Sequence, residues 1–121
     1  MFKPIRIISK PKAYGLVAHW GVQFPSGQVI DFTPEHGLRS TTLQEFAQGM
    51  PTSVVRELPW YLEGIVRERL EELRRNPRKY DLLQWNCETF ANWLVVGIPT
   101  STQVVGAMLL IAIATVLIAS R

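Results

Sequence analysis

Three residues of this chain have the types that could together carry out nucleophilic chemistry: Cys87, His19 and Asp31. A thiolate is a strong nucleophile, and a helix N-terminus, a nearby base and partial exposure all help to form one. Asn86 can cap a helix that runs from Cys87 to about residue 96 and ends at Gly97-Ile98-Pro99. Cys87 is then the first helical residue, where backbone N–H groups are unpaired and the helix dipole favours negative charge. Those N–H groups, in a turn shaped by Asn86, could hold the oxyanion of a tetrahedral intermediate.

The base must come from elsewhere in the chain. Residues 16–24 (LVAHWGVQF) and 28–32 (QVIDF) read as two strands around Pro25-Ser26-Gly27. Pro25 suits the first central position of a type I turn, and Gly27 suits the left-handed position after it. A three-residue loop sets Phe24 opposite Gln28, Gly21 opposite Asp31 and His19 opposite Thr33. His19 and Asp31 become diagonal neighbours on one sheet face, with backbones roughly 7–8 Å apart. A carboxylate can bridge that gap to an imidazole, whereas a two- or four-residue loop would put the pair on opposite faces. Taken singly, each residue has an ordinary alternative. A lone cysteine is most often a small buried hydrophobe, a histidine beside Trp20 structural, and an aspartate near a strand end solvated or capping. The argument rests on the three together.

The remaining elements frame an α+β domain. Residues 5–8 form a short apolar run that reads as an edge strand. Thr42, Leu43, Phe46 and Ala47 fit one helical turn closed by Gly49, and Val54-Val55 allow another short strand. A helix is expected from Pro59 to about Arg75, with Leu62, Ile65, Val66, Leu70 and Leu73 on one face and charged residues opposite. Asn76-Pro77 ends it, and residues 80–83 make a short connection. His36, in Pro34-Glu35-His36-Gly37, reads as a loop residue.

Composition excludes several classes of function. The chain has 121 residues, 47% of them hydrophobic, a net charge of +3 and one cysteine. That allows one small domain. One cysteine excludes a disulfide framework within the chain and a multi-cysteine zinc site. A metal site of His19, His36 and Cys87 lacks the short ligand spacing of zinc proteins, so neither metal nor cofactor is expected. The mild charge excess does not suit a dedicated nucleic-acid binder. Residues 104–119 (VVGAMLLIAIATVLIA) carry no charge. With their flanks they span roughly 28 Å as a helix, near the thickness of a bilayer core. A small domain has little interior for a helix apolar on every side. Residues 99–121 are therefore expected to be a C-terminal transmembrane anchor behind a catalytic domain of residues 1–98. The N-terminus lacks the apolar core of a secretory signal, so the domain is expected to face the cytoplasm.

The sequence resembles the lecithin:retinol acyltransferase family, a circularly permuted branch of the NlpC-type, papain-like thiol hydrolases. The resemblance rests on His19-Trp20-Gly21-Val22, a strand partner about 12 residues on, the run YDLLQWNCETF at 80–90, and a final apolar segment from Thr102-Gln103-Val104. It covers about residues 14–121, with a poor match near 33–60. It implies a permuted papain-like fold, an antiparallel sheet packed on the cysteine-bearing helix. It implies Cys87 as nucleophile, His19 as general base and the position of Asp31 as the third, orienting member. Many members carry a second histidine there, and many carry histidine where this chain has Thr89. The implied reaction moves an acyl chain from a phospholipid to Cys87, then to water, an amine or an alcohol.

A phospholipid membrane is accordingly the expected partner. Trp60 and Tyr61 are candidates for its interface. Arg67, Arg69, Arg74, Arg75, Arg78 and Lys79 could face anionic head groups, or form a solvated face balanced by glutamates. Two alternatives stand beside this reading. PPPDE-type isopeptidases share an early strand histidine and a later Asn-Cys turn, and Gly97-Ile98-Pro99 echoes their ending. A tail-anchored module without catalysis would tolerate the departures at Asp31 and Thr89.

Overall fold

The computed structural model of the protein describes residues 2–12, 18–79, 86–97 and 112–119. They form an α+β arrangement around one five-stranded sheet. Its strands are β1 (Ile5–Pro11), β2 (Ala18–Gln23), β3 (Val29–Thr33), β4 (Gly37–Thr41) and β5 (Ser53–Leu58). The order is β4-β3-β2-β1-β5, with antiparallel neighbours throughout. The helices α1 (Leu43–Ala47), α2 (Glu63–Arg75) and α3 (Cys87–Val96) accompany it, and residues 112–119 are helical as well.

The hairpin of β2 and β3 has the register that its three-residue loop requires. Gly21 pairs with Asp31, Val22 with Ile30 and Gln23 with Val29. Gly27 takes a positive φ of 97°, at no steric cost to a residue without Cβ. A second hairpin repeats the device. Gly37 has φ 65°, and the turn at 34–36 sets Asp31 opposite Arg39.

One sheet face is the main core. Ile5, Ile7, Val22, Phe24, Ile30 and Phe32 pack against Val66, Leu70 and Leu73 of α2 and Phe90, Ala91 and Leu94 of α3. The alternation of the strands supplies this face, and the helical spacing 66, 70, 73 supplies its cover. The other face carries a small apolar patch of Ile8, Val29 and Phe46, the last from α1. Thr42 starts α1 with a capping box: its Oγ1 accepts from Glu45 N–H at 3.1 Å while Glu45 Oε1 accepts from Thr42 N–H at 3.3 Å. Gly21 lets this helix close on the sheet, since a Cβ there would lie 2.9 Å from the Phe46 ring.

Several sequence expectations need correction. Residues 5–8 are not at an edge: β5 pairs outside β1, so β1 is an inner strand buried on both faces. A bulge between Ile7 and Ile8, where Val55 has no partner, shifts that pairing. The segment after Pro59 opens as a 3₁₀ turn, Trp60–Leu62, and becomes α-helical only at Glu63. Ile65 lies off the buried stripe of α2 and is 49% exposed. The arginines of α2 are partly committed to the protein itself. Arg67 meets Glu63 at 2.6 Å and covers the Phe24 ring at 4.1 Å. Arg69 donates to the carbonyls of Leu94 and Val95, both at 3.1 Å, at the C-terminal end of α3. Arg74 pairs with Glu71. The connection expected at 80–83 falls outside the described residues.

Candidate active site

Asn86 caps α3 through both of its halves. Its side-chain oxygen accepts from the N–H groups of Glu88 at 3.0 Å and Thr89 at 2.9 Å. In return the Thr89 hydroxyl accepts from Asn86 N–H at 2.7 Å, closing a capping box. Thr89 thus has a local role in setting the first turn of α3. The cap uses the second and third N–H groups of the helix. The N–H of Cys87, the first, has no hydrogen-bond partner among the described residues.

Cys87 is 4% exposed, and its sulfur lies 3.9 Å from the Ala18 carbonyl oxygen. Ala18 precedes His19 on β2, and the Cys87 thiol lies near enough to the His19 imidazole to favour its charged form. On the far side of that ring, Nε2 donates to Asp31 Oδ2 at 2.9 Å. With Nε2 engaged, Nδ1 is the nitrogen left to face the sulfur. The ring also stacks on Phe46, with centroids 5.3 Å apart. Cys87, His19 and Asp31 are therefore brought together, from a helix start and two strands.

Arg39 completes the cluster, and sequence reasoning missed it. Its Nε donates to Asp31 Oδ1 at 3.0 Å and its terminal nitrogen to Oδ2 at 2.7 Å, the two-point grip of a guanidinium on a carboxylate. Only a partial signal was present: a three-residue loop at 34–36 pairs residue 31 with residue 39, but Gly37 stands on β4 after that loop, whereas Gly27 stands inside the loop 25–27. Asp31 is fully buried. Burial alone would raise its pKa, but hydrogen bonds from His19 and Arg39, with the charge of Arg39, hold it below the usual carboxylate value. For His19, burial opposes the charged form, yet the hydrogen bond to Asp31 and the nearby Cys87 thiol prevail and its pKa is raised above 6.5. The site thus favours an ionised carboxylate and a histidine ready to hold a proton.

A cavity of about 310 Å³ opens beside His19, bordered by Lys10, Lys12, His36 and Arg39 among others. His36 stands on the turn after β3, where its N–H donates to Thr33 Oγ1 at 3.0 Å. Trp60 and Tyr61 are 44% and 67% exposed, and their ring contacts are with Phe2 and with each other rather than with His19. Among the described residues no group of three His, Cys, Asp or Glu could hold a metal ion. Residues 112–119 are helical, and Ile113, Val116, Leu117 and Ile118 are all more than half exposed. Among the described residues no helix is long and apolar enough to cross a membrane. Residues 99–111, which begin the expected anchor, lie outside the described residues, as do 120–121.

A helix that opens on a cysteine, set against a strand histidine held by a carboxylate, has the parts of a thiol nucleophile site. Comparison with protein families matches the lecithin retinol acyltransferase model over residues 5–100. The chain belongs to that family, whose members are acyltransferases. Searches of curated proteins and of solved structures each found no match.

Proposed function

We propose that the protein is a membrane-anchored, cysteine-dependent acyltransferase or phospholipase A-type hydrolase acting on phospholipid esters. The observation that carries this reading is the meeting of Cys87, at a helix start, with an imidazole whose far nitrogen is held by a buried, ionised Asp31. In this reading the fold is a permuted papain-like arrangement of NlpC type, with residues 1–98 as the catalytic domain. His19 Nδ1 takes the thiol proton, and Cys87 Sγ attacks the acyl carbonyl carbon. The oxyanion accepts from the Cys87 N–H, the donor that the helix cap leaves free. Collapse breaks the ester C–O bond, and His19 returns the proton to the departing alkoxide. Water, an amine or an alcohol then gives its proton to His19 and attacks the thioester, and Cys87 leaves as thiolate. Asp31 is a positioning residue: it fixes the tautomer with the proton on Nε2 and stabilises the imidazolium. Arg39 acts through Asp31 by fixing the plane of its carboxylate.

A tail anchor fits this chemistry, because the ester lies at the head-group boundary and tethering raises its local concentration. The exposed apolar side chains of residues 112–119 support it, and so does the aromatic cluster of Phe2, Trp60 and Tyr61. The domain is then placed on the cytoplasmic side.

Intact-mass spectrometry after brief incubation with a phosphatidylcholine of defined chains tests the reading. Wild type should gain one acyl mass and Cys87→Ala none. Folded, membrane-bound wild type that forms no adduct and releases no fatty acid would overturn it and favour an isopeptidase or a non-catalytic module.

A further inference from the structure

The cavity beside His19 carries positive charge that the acyl-transfer steps do not use. Lys10 is the cross-strand partner of His19, so its side chain rises from the same sheet face one strand away. It is only 9% exposed, and its ammonium lies over the Phe46 ring at 5.4 Å. Gln48 Oε1, at 2.8 Å, is its one hydrogen-bond partner among the described residues. An ammonium has three donors, and a mostly buried one with a single bond is costly unless something else meets it. Lys12 and Arg39 border the same cavity, and Glu35 is the one acidic side chain among its described lining residues. Arg39 is offset by Asp31, which leaves two lysines against one exposed carboxylate. Burial, then the charge of Arg39 and to a smaller extent that of Lys12, lower the pKa of Lys10, against a raising effect of Asp31. An anion between the two lysines would relieve both the desolvation and the repulsion.

We propose that this cavity is a phosphate subsite, in which Lys10 and Lys12 bind the phosphate ester of the substrate and His36 supplies a further donor from the rim. The proposal rests on the acyl-transfer reading and deepens it. Lys10 stands directly beside His19, so a phosphate held there brings the neighbouring acyl ester of the same lipid toward Cys87. The protein then selects esters by the charge next to them, and neutral acylglycerols bind poorly.

The test is binding, and needs no turnover. Full-length Cys87→Ala protein in detergent is titrated with a short-chain phosphatidylcholine, a short-chain diacylglycerol and inorganic phosphate, and the ring resonances of His19 and His36 are followed by NMR. Phosphatidylcholine should shift both saturably and diacylglycerol should not. Lys10→Met and Lys12→Ala should each weaken binding about tenfold, as for loss of one charge-assisted hydrogen bond. Lys12 is exposed, so its variant reports even if Lys10→Met disturbs folding. A response to inorganic phosphate with none to the lipid would support the phosphate site but assign it to free phosphate. Equal responses to the two lipids, or wild-type affinity in both lysine variants, would overturn the proposal. A thioester that still forms without phosphate binding retires the subsite alone, and phosphate binding without any thioester retires the acyl-transfer reading alone.

Discussion

The two faces of the sheet are built from the same strands and serve opposite ends. On β3 all five residues are buried, yet Ile30 and Phe32 enter the apolar core while Asp31 enters a polar cluster. The core face is covered by two helices, α2 and α3. Among the described residues the other face is covered by the single turn of α1, which supplies Phe46 and leaves His19, Lys10 and Arg39 around a cavity. Stability is thus concentrated on one side and reactive groups on the other. The helix α3 serves both: its length buries Phe90 and Leu94, and its first residue is Cys87. Alternation of side chains along a strand is what allows a dry core and a charged site to lie a few ångströms apart.

That contrast predicts which changes affect activity and which affect stability. The largest effect on activity should come from His19→Ala, which removes the base. Acyl-enzyme formation should fall about 10³-fold or more while thermal unfolding changes far less. A matching loss of folded protein would show that the two faces are not separable. On the core face, Phe90→Ala should destabilise by about 3–5 kcal/mol, read from denaturant unfolding. A small change there would mean that α3 is not the main cover of the sheet.

Asp31→Asn should lower turnover about 10²-fold, less than loss of His19, since it positions rather than reacts. It should also move a pH limb. Asp31 raises the His19 pKa, so its loss should shift the acid limb of kcat/KM to lower pH, because His19 then loses its proton earlier. An unmoved limb would separate Asp31 from the titration of His19. The linkage to stability has opposite signs for the pair. The contribution of His19 is full below about 6.5 and fades as pH rises through its raised folded pKa. The contribution of Asp31 is present above about 3.8 and is lost as pH falls through its lowered folded value. Smallest of all, Thr42→Ala should cost about 1 kcal/mol by removing the cap of α1. If activity falls more steeply than stability in that variant, the short helix is positioning His19 through Phe46.

Much of this was written in local sequence. The Pro25-Ser26-Gly27 loop length determined that His19 and Asp31 share a face, because strand side chains alternate with a period of two. Asn86 determined the start of α3, because a short side-chain acceptor satisfies helix N–H groups within its own turn. Both are short-range facts, legible to a reader of the chain. The place of β1 was not, since nothing in residues 5–8 says that a strand nearly fifty residues later will lie outside them. The exposure of Ile65 was not legible either, because helical spacing gives a stripe but not how wide its cover will be. Arg39 lay between, signalled by a hairpin loop but made meaningful only by its grip on Asp31. The convergence of α3 with β2, which brings Cys87 against His19 from 68 residues away, belongs to tertiary structure alone. Local rules act over a turn of helix or a tight loop, whereas the packing of a helix on a sheet depends on every apolar side chain on both surfaces at once.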